Sequence, residues 1–218
     1  MVRVPGDGMI DDVHELPLFP LRSMLFPGGL LALRVFEARY MDLITRCLKS
    51  GEEFGVVLIL DGHEVHEPGR TVRLAAVGCR ARVLDVDMQQ PGLLQVRCKG
   101  GGRFMLRSHA QGALGLETGR VQAMVDDPPA VLDARHAPAA MALGRAIAAL
   151  DAQGQKPFLP PYRLDIPGWV ANRWAEVLPI GQLARQRLME LPDGTQRLDV
   201  VERYLRQHGI LGAADAMH

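Results

Sequence analysis

Proline is the feature that most restricts what this chain can fold into. Residues 15–40 read ELPLFPLRSMLFPGGLLALRVFEARY, with Pro17, Pro20 and Pro27 set in an apolar run and Gly28-Gly29 following the third. A proline lacks the backbone N–H and clashes with a preceding helical turn, so no long helix passes through this stretch. Arg22 and Arg34 break the run again. It falls short of the ~18 uncharged residues that a membrane-spanning helix needs. The preceding MVRVPGDGMIDDVHE carries acidic residues and no continuous apolar core, which is not the pattern of a secretory signal. What fits is a pair of short strands (16–19 and 29–35), a turn at Phe26-Pro27-Gly28-Gly29 and the start of a helix. Prolines within a strand predict edge positions, where a missing donor costs little.

The pattern after this opening is mixed. From Glu37 to Ser50, Tyr40, Leu43, Ile44, Cys47 and Leu48 recur at steps of three and four, which predicts an amphipathic helix stopped by Gly51. Phe36 extends that stripe by one turn, facing the core with Tyr40. FGVVLIL at 54–60 reads as a buried strand, and 72–88, 93–99, 103–108 and 114–125 as further strands. GGG at 100–102 reads as a turn between two of them. After Asp126-Asp127-Pro128-Pro129 the sequence becomes alanine-rich and helical, with helices over 137–150, 169–178, 181–191 and 196–208. The expected architecture is α+β: a mostly antiparallel β-barrel-type subdomain at 12–126 with one interrupting helix, then an α-helical bundle at 127–218.

Composition excludes several function classes. Basic and acidic residues number 25 each, so no net field draws nucleic acid or an anionic membrane. Cys47, Cys79 and Cys98 form no CxxC pair, which fits a reducing cytoplasm better than a disulfide framework. A phosphate-binding GxxxxGK[ST] loop is absent, and GGGRFMLRS lacks the lysine that such a loop needs. Serine occurs only at Ser23, Ser50 and Ser108, none in a GxSxG context, and Lys49 beside Ser50 at a helix end has poor geometry for a dyad. His63 and His66 with Glu64 and Glu67 could hold a divalent metal, but the spacing is not HExxH and a solvated loop is the stronger reading. Arg97, Lys99, Arg103 and Arg107 could form a basic face, yet only Phe104 would offer stacking, so an RNA-binding reading is weak. No cofactor and no metal are expected.

Six short motifs then follow one another in order: LPLFPL (16–21), LFPGGLLAL (25–33), VFEARY (35–40), FGVVLI (54–59), VGCRARV (77–83) and GGRFML (101–106). WVANRWAEVLPIGQLARQRLMEL with Arg197-Leu198 completes the series. Over residues 15–208 this resembles the N-terminal, substrate-binding domain of the Lon ATP-dependent proteases. The resemblance implies a PUA-like β-rich subdomain followed by a helical bundle, and a role in recognising protein substrates. The ATPase and Ser/Lys protease modules that follow this domain in full-length Lon proteases are not in this sequence, so a standalone, non-catalytic form is expected. Cys79 stands where the family often has threonine.

The expected partners are therefore protein or peptide clients, bound by a module that serves as an adaptor in proteolysis or quality control; no nucleic acid and no membrane are expected. The candidate contacts are Met24, Leu25 and Phe26 near the proline-glycine turn, Arg39 in FEARY, and Trp169, which lies off the apolar stripe of its helix. Ordinary core packing is the competing reading for Leu25 and Phe26. A small-molecule or metal-binding regulatory protein, built on His63 and His66 with Glu64 and Glu67, and an RNA-binding PUA-like module are the rival functions.

Overall fold

The structure, a computed structural model, describes residues 9–62 and 72–212. Two compact units make up the chain. The first comprises Met1–Ser23 and Ala32–Asp126, the second Met24–Leu31 and Asp127–His218. The second unit thus takes the proline-glycine turn, which the sequence reading assigns to the β-rich part.

The first unit is built on a seven-stranded sheet: β1 (Met9–Leu21), β2 (Leu30–Val35), β3 (Phe54–Asp61), β4 (Arg73–Leu74), β5 (Val77–Gln90), β6 (Leu93–Gln111) and β7 (Glu117–Met124), with helix α1 (Ala38–Ser50) after β2. The strand order is β1-β7-β6-β5-β3-β4, and β2 pairs with β6. The sheet closes on itself because β1 also pairs with β3, in parallel. The pairings β1–β7, β3–β4, β3–β5, β5–β6 and β6–β7 are antiparallel.

Strand β1 is not an edge strand, and its prolines are accommodated another way. Val13 to Pro17 pair with β7, and Leu18 to Leu21 pair with β3. The strand changes partner between Pro17 and Leu18, so each proline lies where a single flank is paired, the condition under which a missing donor costs least. The three glycines at 100–102 do not make a turn either. They lie inside β6, where Cys79 pairs with Arg103 and Ala81 with Gly100, so two residues oppose Arg80 alone. This is a β-bulge, which residues without a side chain absorb with least crowding. The hairpin turn between β5 and β6 is at Pro91-Gly92, with Gly92 at φ 80°.

Helix α1 buries Tyr40, Leu43, Ile44 and Cys47. Tyr40 stacks on Phe19 with ring centres 4.0 Å apart, and Phe19 leans on Phe54 at 6.1 Å. Gly51, at φ 74°, ends the helix by donating its N–H to the Cys47 carbonyl. Phe36 departs from the expected stripe. It is 61% exposed, because Glu37 before the helix is extended (φ −80°, ψ 130°) and the one-turn relation to Tyr40 does not hold.

The second unit carries α2 (Ala137–Ala152), α3 (Pro167–Val177), α4 (Gln182–Glu190) and α5 (Gly194–Gln207). Pro167 opens α3 in the first turn, where its missing N–H is no loss. Asp193 caps α5 by accepting from the N–H groups of Thr195 and Gln196. Leu143, Ile147, Val170, Leu198, Val201 and Leu205 are buried, and Trp174 donates its indole N–H to the Ala139 carbonyl at 3.0 Å. No helix among the described residues is long and apolar enough to cross a membrane.

Candidate functional site

Two arginines of the helical unit have almost no exposed surface, and each organises a site. Arg197, on α5, is 1% exposed. Its Nη1 and Nη2 reach the two carboxylate oxygens of Asp127 at 2.9 and 3.0 Å. Its Nε donates to the Leu188 carbonyl, Nη1 also to Asn172 Oδ1, and Nη2 also to the Leu191 carbonyl, each at 2.9 Å. All five donors of a guanidinium are thereby used, which is what makes a buried arginine tolerable. The Asp127 carboxylate lies over Gly168 and Gly194, where a Cβ would come within 2.3 and 2.8 Å of its Oδ2. These glycines sit in the first turns of α3 and α5, whose N-terminal partial charge favours the carboxylate. Asp127 is therefore a structural anchor of this unit.

Arg173, on α3, is fully buried. Its Nη2 donates to the Pro27 carbonyl at 3.0 Å and to Glu176 Oε1 at 2.9 Å. The guanidinium lies 5.6 Å from the Trp169 ring centre and 5.7 Å from that of Phe158, within cation–π range. Trp169 in turn packs with Phe158 at 6.4 Å and the more exposed Tyr162 at 6.2 Å. The proline-glycine turn is thus held from α3. Gly28 takes φ 73°, and a Cβ on Gly29 would fall 2.3 Å from Glu176 Oε1 and 2.9 Å from the Phe26 carbonyl oxygen. Burial pushes the Glu176 carboxyl up to about 7, against the opposing pull of Arg173 and Arg185.

The structure brings four of the five sequence-predicted contacts into this one unit. Leu25 and Phe26 are buried and hold the turn in place from within, so they present no surface. Met24 and Trp169 are half-buried and retain accessible area. Arg39 lies in the other unit. It pairs with Glu37 at 2.9 Å, donates to the Gly115 carbonyl and lies over the Tyr40 ring at 4.5 Å.

Apolar depressions among the described residues also lie outside that set. In the helical unit a groove of about 540 Å³ is lined by Leu178, Ile180, Leu188, Leu191, Val201 and Tyr204 among others. In the β-rich unit a smaller one of about 200 Å³ is lined by Phe19, Leu21, Leu33, Val35, Phe36 and Tyr40 among others. Phe36 at its rim is a functional candidate that sequence reasoning placed in the core. The extended backbone before the helix was the missing signal.

The rival sites fare differently. His63, Glu64, His66 and Glu67 lie outside the described residues. Among the described residues no cluster of His, Cys, Asp and Glu has the make-up of a metal site. The basic strand face is largely engaged: Arg103 is buried, Arg97 pairs with Asp85 at 2.8 Å, and Arg107 donates to Gln122 Oε1 at 2.9 Å.

Comparison with known proteins gives a consistent picture. Residues 15–207 match the model of the ATP-dependent protease La (LON) substrate-binding domain. A Lon protease from Paraburkholderia phytofirmans is 29% identical over 193 residues, which cover 86% of this chain and 24% of that protein. The crystal structure of a Lon N-terminal domain protein from Xanthomonas campestris superposes with a TM-score of 0.71 at 34% identity, covering 88% of this chain and 98% of that one. The N-terminal domain of a Mycobacterium avium complex Lon protease gives a TM-score of 0.64 at 17% identity, covering 89% and 100%, and shares the fold. With its motifs, its closed sheet and its helical unit all matched over nearly the full length, the chain belongs to the Lon substrate-binding domain family.

Proposed function

We propose that this protein is a non-catalytic recognition module for apolar segments of protein clients, acting as an adaptor in proteolysis or quality control in the cytoplasm. The observation that carries this reading is the exposed Phe36 at the rim of an apolar depression, within the motif-bearing segment of a substrate-binding family. An exposed aromatic beside a pocket lined by Leu33, Val35 and Tyr40 offers a client side chain burial worth roughly 1.5–3 kcal/mol. The free, buried cysteines suit a reducing compartment.

The test is a titration of labelled, reduced and carboxymethylated lactalbumin, a chain that cannot refold, followed by fluorescence anisotropy. Binding by the native protein, weakened roughly tenfold by Phe36→Ser, is the expected result. No binding of this or any other unfolded chain would sink the proposal. A second reading places the contact in the helical unit, at Met24, Trp169 and the larger groove. It predicts that Trp169→Ala and Val200→Glu, the latter at an exposed residue lining that groove, and not Phe36→Ser, weaken the same titration.

A further inference from the structure

Among the described residues, strand β2 is paired along one side only. It pairs with β6 and with no other strand, and beyond that pairing the backbone of residues 32–36 makes no hydrogen bond among the described residues. Its side chains alternate: Leu33 and Val35 are buried, and Ala32, Arg34 and Phe36 are exposed. The depression lined by Phe19, Leu21, Leu33, Val35 and Tyr40 adjoins this strand. We propose that the β2 edge takes up an extended segment of a client polypeptide as an added strand, with an apolar client side chain seated against Phe36 and an acidic one against Arg34. This rests on the recognition role proposed above and names the conformation recognised.

The chemistry of the edge selects the occupant. Unpaired N–H and C=O groups recurring along a strand are met in full only by another backbone in the β conformation. Five residues at about 3.3 Å each give some 16 Å, room for a short segment. Charge decides between a client and a second copy of this chain. Arg34 is exposed and has no ion pair among the described residues. Two β2 edges meeting each other would bring Arg34 towards its own copy, and like charges on paired strands repel. A client segment carrying Asp or Glu meets the opposite situation. The same arginine thus deters self-pairing and favours an acidic partner.

The test uses the full chain and a short fluorescein-labelled peptide of alternating valine and threonine with an aspartate at each end. Two derivatives carry N-methyl groups on one or the other alternate set of residues. In an added strand only one of these sets points its N–H groups at β2. The parent peptide should bind, one methylated derivative should lose affinity roughly tenfold, and the other should stay within about twofold. Amide exchange of residues 32–36 should slow on binding, and Arg34→Glu, an exposed change whose folding is checked by circular dichroism, should weaken the parent peptide. Equal binding of all three peptides, or binding without protection of 32–36, overturns the inference while leaving recognition intact. So does binding of unfolded lactalbumin with none of the parent peptide. Failure of both probes removes the recognition reading itself. A dimer in sedimentation that protects 32–36 without peptide would make a second copy the occupant and overturn the proposal.

Discussion

Arg197 shows how much of the helical unit depends on single side chains. It is a charge with almost no exposed surface whose neutralising partner, Asp127, lies seventy positions away. Removing it strips the part-exposed Asp127 carboxylate, Asn172 Oδ1 and the Leu188 and Leu191 carbonyls of their shared donor. Arg197→Ala should therefore destabilise the protein by about 3–5 kcal/mol, measured by urea unfolding. Gly29 is constrained by shape. A methyl group there meets Glu176 and the Phe26 carbonyl oxygen, so Gly29→Ala should lower the melting temperature. Glu176 adds a dependence on pH. Its folded value of about 7 lies above the ordinary 4.5, so between these two the folded state holds more proton than the unfolded one. Stability is then complete below about 4.5 and declines as the pH rises through 7. Glu176→Gln should flatten that decline in urea unfolding performed across this range.

At the scale of elements, the sequence was most legible where one period governed a whole segment. FGVVLIL is a strand with its first six residues buried, and Tyr40, Leu43, Ile44 and Cys47 line the buried face of α1. Legibility failed where tertiary pairing overrode local preference. Glycines 100–102 announce a turn, yet they are the bulge that lets β6 continue past β5. Pro17 and Pro20 announce an edge, yet they mark the place where β1 passes from one partner to another. The candidate site was half legible. Trp169 falls off its helix stripe and is half-buried in the structure, whereas Arg173 and Arg197 resemble ordinary helix-surface arginines until their distant partners are known. Phe36 was misplaced because one extended residue, Glu37, separates it from the helical register. That exposure predicts that Phe36→Ser, while weakening client binding, leaves the melting temperature nearly unchanged.

For the whole molecule, the boundary at Asp126 and Asp127 is an incomplete division of the chain. The helical unit includes Met24–Leu31, and Arg173 holds the Pro27 carbonyl. A fragment spanning 127–218 would lack Leu25 and Phe26, both buried in the intact protein. Expressed alone, it should be loosely packed, with dye-accessible apolar surface and a broad thermal transition. A synthetic peptide spanning residues 22–31, added in excess, should sharpen that transition by binding the folded form. A sharp, cooperative transition in the fragment without the peptide would show that the turn is dispensable.

That loan of eight residues also bears on inheritance. A genetic crossover near codon 126, the obvious place to exchange one half for a relative's, would join a helical unit to another lineage's turn. The Pro27 carbonyl, the gap at Gly29 and the Arg173–Glu176 pair would then have been selected apart. The codons for residues 24–31 and those for the helical unit are bound to travel together, and substitutions in one are expected to be answered by substitutions in the other.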